Sequence, residues 1–128
     1  MNWNLWLAIG LGGMIGSLCR HGCNQIALKW LGDAFPWGTA IANLLGSFAI
    51  GWLFHCAQRD GWLNSYWEVT FRVGLLGGLT TFSSLSLETI KLLQNDRPLA
   101  AMVVVLLNLV GGLVAVLAGM RFGSWLRV

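Results

Sequence analysis

Charged residues are scarce in this chain of 128 residues, and their scarcity decides its class. Only 10% of the residues are Asp, Glu, Lys or Arg, whereas 56% are hydrophobic and the mean hydropathy is +0.67. An ordinary soluble domain has about 25% charged residues. The composition therefore predicts one small membrane domain that contacts lipid and has no nucleic-acid partner.

Cysteine is also rare, and the three present do not form a convincing set. An odd number argues against a disulfide framework. Cys19 and Cys23 have helical spacing with His21 between them, while His55 and Cys56 fall at the other end of the second apolar segment. A metal site would need an antiparallel dimer to gather them, and small apolar packing is the competing interpretation.

Four stretches contain no charged residue, over 1–19, 34–58, 73–87 and 98–120. A helix needs about 20 residues to span the hydrocarbon core. We therefore predict an all-α membrane protein, a single domain over 1–128 with transmembrane helices at about 3–22, 37–56, 67–90 and 99–120. Tryptophans lie near the ends of these segments, where indole rings favour the bilayer interface, and they support the predicted spans.

The third segment contains GLLGGLTTFSSLSLE at 74–88, where two adjacent glycines and a run of hydroxyl residues interrupt an apolar helix. Non-helical backbone at membrane depth is tolerated only when it is buried in protein or lines a wet cavity. The pattern predicts a helix break over 77–81 and an ion site beside it.

Two amides lie near the middle of apolar segments, Asn43 in the second and Asn108 in the fourth. Polar groups at this depth indicate function or hydrogen bonding between helices, and both interpretations stay open. Hydroxyls can also bond back to their own helix. Their concentration favours a polar lining, and the candidates are Thr39, Ser47, Thr80, Thr81, Ser83, Ser84 and Ser86.

Basic residues are balanced between the two predicted sides of the membrane. One side receives Arg59, Arg72, Arg121 and Arg127, and the other Arg20, Lys29, Lys91 and Arg97. Because the Lys/Arg imbalance sets orientation, this balance predicts insertion both ways and antiparallel pairing, or else an orientation set by a partner. Small residues four apart in every segment agree with a homodimer or with packing inside one subunit.

Four motifs together resemble the Fluc/CrcB family of fluoride channels: GGMIGSLCRH at 12–21, WGTAIANLLGSFAIG at 37–51, the 74–88 stretch and NLVGG at 108–112. The resemblance implies a passive fluoride channel in a bacterial inner membrane that exports cytoplasmic fluoride and so lowers its toxicity. It also implies an antiparallel, dual-topology homodimer with two pores and a structural sodium ion at the dimer centre.

The resemblance assigns roles to individual residues. Backbone carbonyls of Gly77 and Thr80 match the family's sodium ligands, and Asn43 and Phe82 match its anion-contacting amide and first pore ring. The polar track and the remaining matches are Thr39, Ser83, Ser84, Ser86, Glu88 and Asn108 for the pore, and Arg20 for the vestibule or for anchoring.

Two positions depart from the family pattern. Leu85 replaces the second pore phenylalanine, and Gly112 replaces a common serine. A phenyl ring is electropositive at its edge and leucine has no such edge, so the second ring contact is missing here.

Two other classes compete with the channel. A small proton-coupled multidrug exporter needs an intramembrane carboxylate, and Glu88 could serve. A structural assembly protein would not explain the clustered hydroxyls. No activated nucleophile or acid/base pair predicts an enzyme.

Overall fold

A computed structural model describes residues 2–126, and every regular element in that range is helical. The elements in order are α1 Trp3–Leu31, α2 Trp37–Asp60, α3 Tyr66–Val69, a π-helix Thr70–Leu76, α4 Gly77–Leu79, α5 Phe82–Gln94 and α6 Pro98–Trp125. α3, the π-helix, α4 and α5 follow one another as the third of four helical segments. The predicted all-α fold with four segments is confirmed.

The first helix is longer than predicted, since α1 continues to Leu31 rather than ending near residue 22. A single glycine, Gly22, does not stop a helix, and no proline follows it before the turn. The helix ends at Gly32. Its φ of 77° is a value that glycine adopts without strain, and its N–H donates to Leu28 O.

Two helices in the described range, α2 and α6, are long and apolar enough to cross a membrane. At 1.5 Å per residue they measure about 36 and 42 Å, against a hydrocarbon core of about 30 Å. Only 28% and 22% of their most apolar stretches are buried, whereas the core helix of a soluble protein is mostly buried. α1 is longer still, but Arg20 and Lys29 interrupt its apolar surface.

Glycines bring the helices into backbone contact within one subunit. A Cβ on Gly16 would clash with Leu75 O, and one on Gly78 would clash with Gly13 O. The α2–α6 contact is equally close, because a Cβ on Gly119 would clash with Phe48 O. These small residues therefore pack within the subunit, which is the second of the two interpretations considered for them.

The third segment is interrupted two residues later than its glycines suggested. Gly77 is helical, with φ −63° and ψ −36°, whereas Thr80 and Thr81 are extended, with ψ of 154° and 124°. The prediction that Gly77 lies in unwound backbone is wrong. Gly78 serves the close approach to α1, and the threonines, which are β-branched and favour extended backbone, carry the break.

Candidate ion site at the break in the third segment

The side chain of Asn43 holds the interrupted backbone. Its Oδ1 accepts from Thr81 N at 2.7 Å, and its Nδ2 donates to Thr81 O at 3.1 Å. The amide of Asn43 thus pairs with the Thr81 residue as a neighbouring strand would. This satisfies both polar groups of a buried, non-helical residue, which is costly to leave unpaired in a membrane.

Asn108 on α6 completes this arrangement. Asn43 Nδ2 also donates to Asn108 Oδ1 at 2.8 Å, and Asn108 Nδ2 donates to Val104 O at 2.8 Å in its own helix. Both hydrogens of the Asn43 amide are therefore engaged. The arrangement is the hydrogen bonding between helices that we considered for both amides, and an anion can take an Asn43 donor only by displacing one of these bonds.

A cleft of about 340 Å³ opens beside the break. Seven of the predicted site residues line it: Asn43, Ser47, Gly77, Thr80, Thr81, Phe82 and Asn108. The ring of Phe82 is 74% exposed, so it stands at the surface of the subunit rather than in its core. The cleft therefore combines a buried amide pair with an exposed aromatic ring.

The Gly77 and Thr80 carbonyls have the properties of cation ligands. The Thr81 N–H, which would bond Gly77 O in a continuous α-helix, donates to Asn43 instead. The ψ of 154° at Thr80 turns its carbonyl away from the helical direction. Carbonyl oxygens freed from a helix suit a hard cation, so the residues present fit a sodium ion.

The hydroxyls fall into two groups. Thr81 Oγ1 caps α5 by accepting from Ser84 N at 3.2 Å, and it lies 3.2 Å from the hydroxyls of both Ser83 and Ser84. Ser86 instead donates to Phe82 O at 2.9 Å in its own helix. The first three hydroxyls form a connected cluster at the break, while Ser86 makes the local bond that hydroxyls commonly make in membrane helices.

Glu88 and Thr39 meet as the predicted polar track requires. Thr39 Oγ1 donates to Glu88 Oε1 at 2.7 Å, while Glu88 Oε2 is buried without a partner among the described residues. Both residues line a second, more polar cleft of about 420 Å³, which also contains Lys91 and Arg97. A hydroxyl and a carboxylate therefore lie where a polar opening reaches the end of α5.

Leu85 lines the cleft at the break as well, but the residue is only 4% exposed and packs in the apolar core with Val104. The other predicted residues lie outside that cleft. Arg20 lies on α1, outside both clefts, and makes no hydrogen bond or ion pair within residues 2–126. A Cβ on Gly112 would lie 3.5 Å from Ser47 Oγ, an ordinary contact distance, so the position faces that hydroxyl without requiring glycine.

Metal-ligand side chains are not gathered in the described part of the chain. Across residues 2–126, His, Cys, Asp and Glu form no group of three or more that could hold a metal ion. Cys19, Cys23 and Cys56 are free thiols.

Two features escaped prediction from the sequence. Thr81 was considered only for its hydroxyl, although its backbone is what Asn43 holds. Glu68 was not considered, yet it is fully buried and pairs with Arg72, which lines the cleft at the break. The i,i+4 spacing of Glu68 and Arg72 near the start of a helical segment was the available signal.

The described residues define a small all-helical protein with two helices long and apolar enough to cross a membrane and a cleft beside an interrupted helix. The model of the family described as CrcB-like protein, Camphor Resistance (CrcB), matches residues 7–120, and the chain belongs to this family. The resemblance inferred from the four motifs is confirmed.

Curated relatives from three bacteria extend the comparison, and each of the three carries the name fluoride-specific ion channel FluC. The protein of Xylella fastidiosa strain 9a5c is 38% identical over 123 residues, covering 96% of this chain and 86% of the relative. That of Shewanella amazonensis is 41% identical over 115 residues, covering 90% and 92%. The Thermus thermophilus relative is 40% identical over 119 residues, covering 93% and 94%.

Proposed function

We propose that this protein is a fluoride-selective passive channel, not an enzyme, that lets fluoride leave the cytoplasm across a bacterial inner membrane. The observation that carries the proposal is the cleft at the break, which joins the Asn43–Asn108 amides, the exposed Phe82 ring and the freed Gly77 carbonyl. Membership of the CrcB family and the names of its relatives support the same ion.

The chemistry of fluoride explains why a passive route is sufficient. Fluoride is the anion of a weak acid, so neutral HF crosses lipid from an acidic medium and dissociates inside. A negative interior then favours exit of the anion by about 2.3 kcal/mol per 100 mV. The protein has only to replace the water around a small anion by donors that bind it weakly enough to release it.

Several groups of this chain supply such contacts. The edge of the Phe82 ring is electropositive and is unpacked in the subunit. The hydroxyls of Thr81, Ser83 and Ser84 are close enough to exchange donors as an ion passes. Thr39 and Glu88 continue the polar lining toward the second cleft.

A sodium ion would be held by the backbone carbonyls of Gly77 and Thr80. When bound, it would supply a fixed positive charge that satisfies the carbonyl oxygens released at the break. Gly77 is exposed, and a Cβ there would meet only Arg72 O, at 3.7 Å, so the surrounding surface is open to further ligands.

Those further ligands come, in this proposal, from a second copy inserted in the opposite orientation. The balance of basic residues supports insertion both ways, although Arg127, one of the eight counted, lies outside the described residues. The large apolar residues exposed on α1 and α6 are available to lipid and to the partner subunit.

Purified protein in liposomes tests the proposal. Fluoride efflux should be fast, should follow the membrane potential without a proton gradient, and should exceed chloride efflux. Equally low fluxes of fluoride and chloride would refute a fluoride channel. A requirement for a proton gradient with an organic cation as substrate would favour the exporter built around Glu88.

The dimer is tested separately. Two variants with added lysines on opposite rims should each insert in one orientation and lose flux, and coexpression should restore it. Full flux from a single-orientation population would contradict antiparallel pairing.

A further inference from the structure

The third segment carries a fully buried carboxylate that the proposed pathway does not use. Glu68 in α3 is 0% exposed, and its Oε1 accepts from Arg72 Nε at 2.5 Å. Its Oε2 is also buried and has no partner among the described residues. A buried ion pair that leaves one carboxylate oxygen unpaired is weak evidence that the pair stabilises the fold. The Glu68–Arg72 pair therefore needs another explanation.

The guanidinium of Arg72 is hydrogen-bonded through one of its three nitrogens. Only Nε is engaged, and within residues 2–126 the two terminal amino groups make no hydrogen bond. The side chain is 38% exposed. A guanidinium fixed through Nε presents its remaining N–H donors in a fixed plane, which is the geometry that recognises anions.

The backbone around Arg72 is unusual as well. Arg72 lies in the π-helix Thr70–Leu76, where Gly77 N donates to Arg72 O, five residues back. Short π-helical segments are rare and occur frequently at functional sites. Here the wider turn ends directly at Gly77, one of the two proposed sodium ligands.

Arg72 lines the same 340 Å³ cleft as Asn43, Thr80 and Phe82. A lone arginine beside a narrow anion route would hold an anion strongly and slow its release. Glu68 offsets that charge, so that the cleft receives N–H donors with little net charge. The same offset limits repulsion between Arg72 and a cation at the neighbouring carbonyls.

We propose that Arg72 is an anion-binding residue of the cleft and that Glu68 positions it and weakens its hold on the anion. The inference rests on the proposed function, because the anion concerned is the one conducted. It predicts opposite effects for the two partners of one ion pair, a result that a purely structural pair would not give.

The experiment measures initial fluoride efflux from liposomes against internal fluoride concentration, for protein that elutes as a single species. Arg72→Gln should raise the half-saturating fluoride concentration by about tenfold, the equivalent of one charge-assisted hydrogen bond. Glu68→Gln keeps an acceptor for Arg72 Nε but removes the charge. It should lower the half-saturating concentration by about threefold, the effect of a partly exposed ion pair, and lower the maximal rate.

Arg59→Gln is the matched control. Arg59 pairs with the adjacent Asp60 at the end of α2, with Nε–Oδ1 at 2.6 Å, outside the cleft. It also belongs to the same predicted side of the membrane as Arg72, so both changes remove one positive charge from that side. Arg59→Gln should leave the half-saturating concentration unchanged.

The outcomes separate the two proposals. No fluoride flux from the unmodified protein would overturn the proposed function. Normal flux with an unchanged half-saturating concentration in Arg72→Gln would overturn this inference alone. Equal shifts in the same direction for Arg72→Gln and Glu68→Gln would also overturn it, since they would indicate a structural ion pair.

Discussion

The two halves of the third segment use the same chain for different purposes. Before the break, Gly74 and Gly78 lie in backbone contact with α1, and larger residues do not fit there. After the break, α5 leaves Phe82 and Ser83 exposed. The first half packs closely against α1 and also lines the cleft with Arg72 and Gly77. The second half, by contrast, places the exposed Phe82 there, and Asn43 bonds the extended residue between the two halves. The difference separates backbone contacts that build the subunit from exposed groups that the cleft can present to a ligand.

The largest effect is expected where packing is tightest. Gly16→Val would place side-chain atoms against the backbone of Leu75 and Leu79. Overpacking costs about 1–3 kcal/mol even where neighbours adjust, and backbone adjusts least. Gly16→Val should therefore abolish the folded species, measured as the monodisperse fraction in size-exclusion chromatography. Gly10→Val is the control, because a Cβ there meets nothing within 4 Å. Similar elution of both variants would contradict the packing role.

Loss of the Asn43 hydrogen bonds at the break should affect both the stability of the fold and fluoride conduction. Asn43→Ala removes the bonds to Thr81 N, Thr81 O and Asn108. Each buried group left unpaired costs about 1–3 kcal/mol. Fluoride efflux should fall by more than about tenfold and the melting temperature should drop.

Two further variants define the role of Asn43. Asn43→Asp keeps an acceptor for Thr81 N but loses both donors, so it should be severe as well. Asn4→Ala, an exposed amide on α1, should be neutral in both measurements. Normal efflux from Asn43→Ala would show that fluoride conduction does not depend on the Asn43 amide.

A smaller effect, confined to conduction, is expected after the break. Phe82→Ile removes an exposed ring and should reduce fluoride efflux by about three- to tenfold, the range of one ring contact, with unchanged thermal stability. Leu85→Ile alters the buried core and should lower stability by less than about 1.5 kcal/mol while leaving efflux near normal. The reverse pattern of efflux would assign the anion contact to position 85.

The smallest effect is expected at the polar track. Thr39→Val keeps the shape but removes the donor to Glu88 Oε1, and efflux should fall a few-fold, about the worth of one hydrogen bond. Thr89→Val is the control, because its hydroxyl bonds only Leu85 O in its own helix. Equal efflux from both variants would remove Thr39 from the pathway.

Much of this arrangement could be predicted from the sequence because a membrane leaves few choices. The scarcity of charge fixed the helical class, and the hydroxyls after two glycines located the break to within a few residues. The approach of Asn43 to Asn108 could not be derived, since 65 residues separate them and only the packing of α2 on α6 brings them together. Glu68 escaped notice because burial of a carboxylate near a segment end depends on tertiary packing.

The conformation of Gly77 shows a further limit. A glycine pair in an apolar helix indicates either flexibility or close packing, and sequence alone does not separate the two. Here the neighbouring α1 decides, because Gly78 faces Gly13 and the helix continues through both glycines. The β-branched threonines that follow were the better indicator of extended backbone.

The length of α1 has a consequence for the choice of lipid. Its 29 residues measure about 44 Å, well beyond a hydrocarbon core of about 30 Å. Trp3 and Trp30 are exposed at its two ends, and Lys29 lies over the Trp30 ring at 5.8 Å from its centre. Its uncharged part ends before Arg20, so the remainder of the helix must tilt or emerge from the hydrocarbon core, and each choice depends on bilayer thickness. Because α1 is locked to the half of the third segment that precedes the break, hydrophobic mismatch at its ends acts directly on the orientation of that half. Acyl-chain length is thus an experimental variable that reaches the ion site without altering a residue.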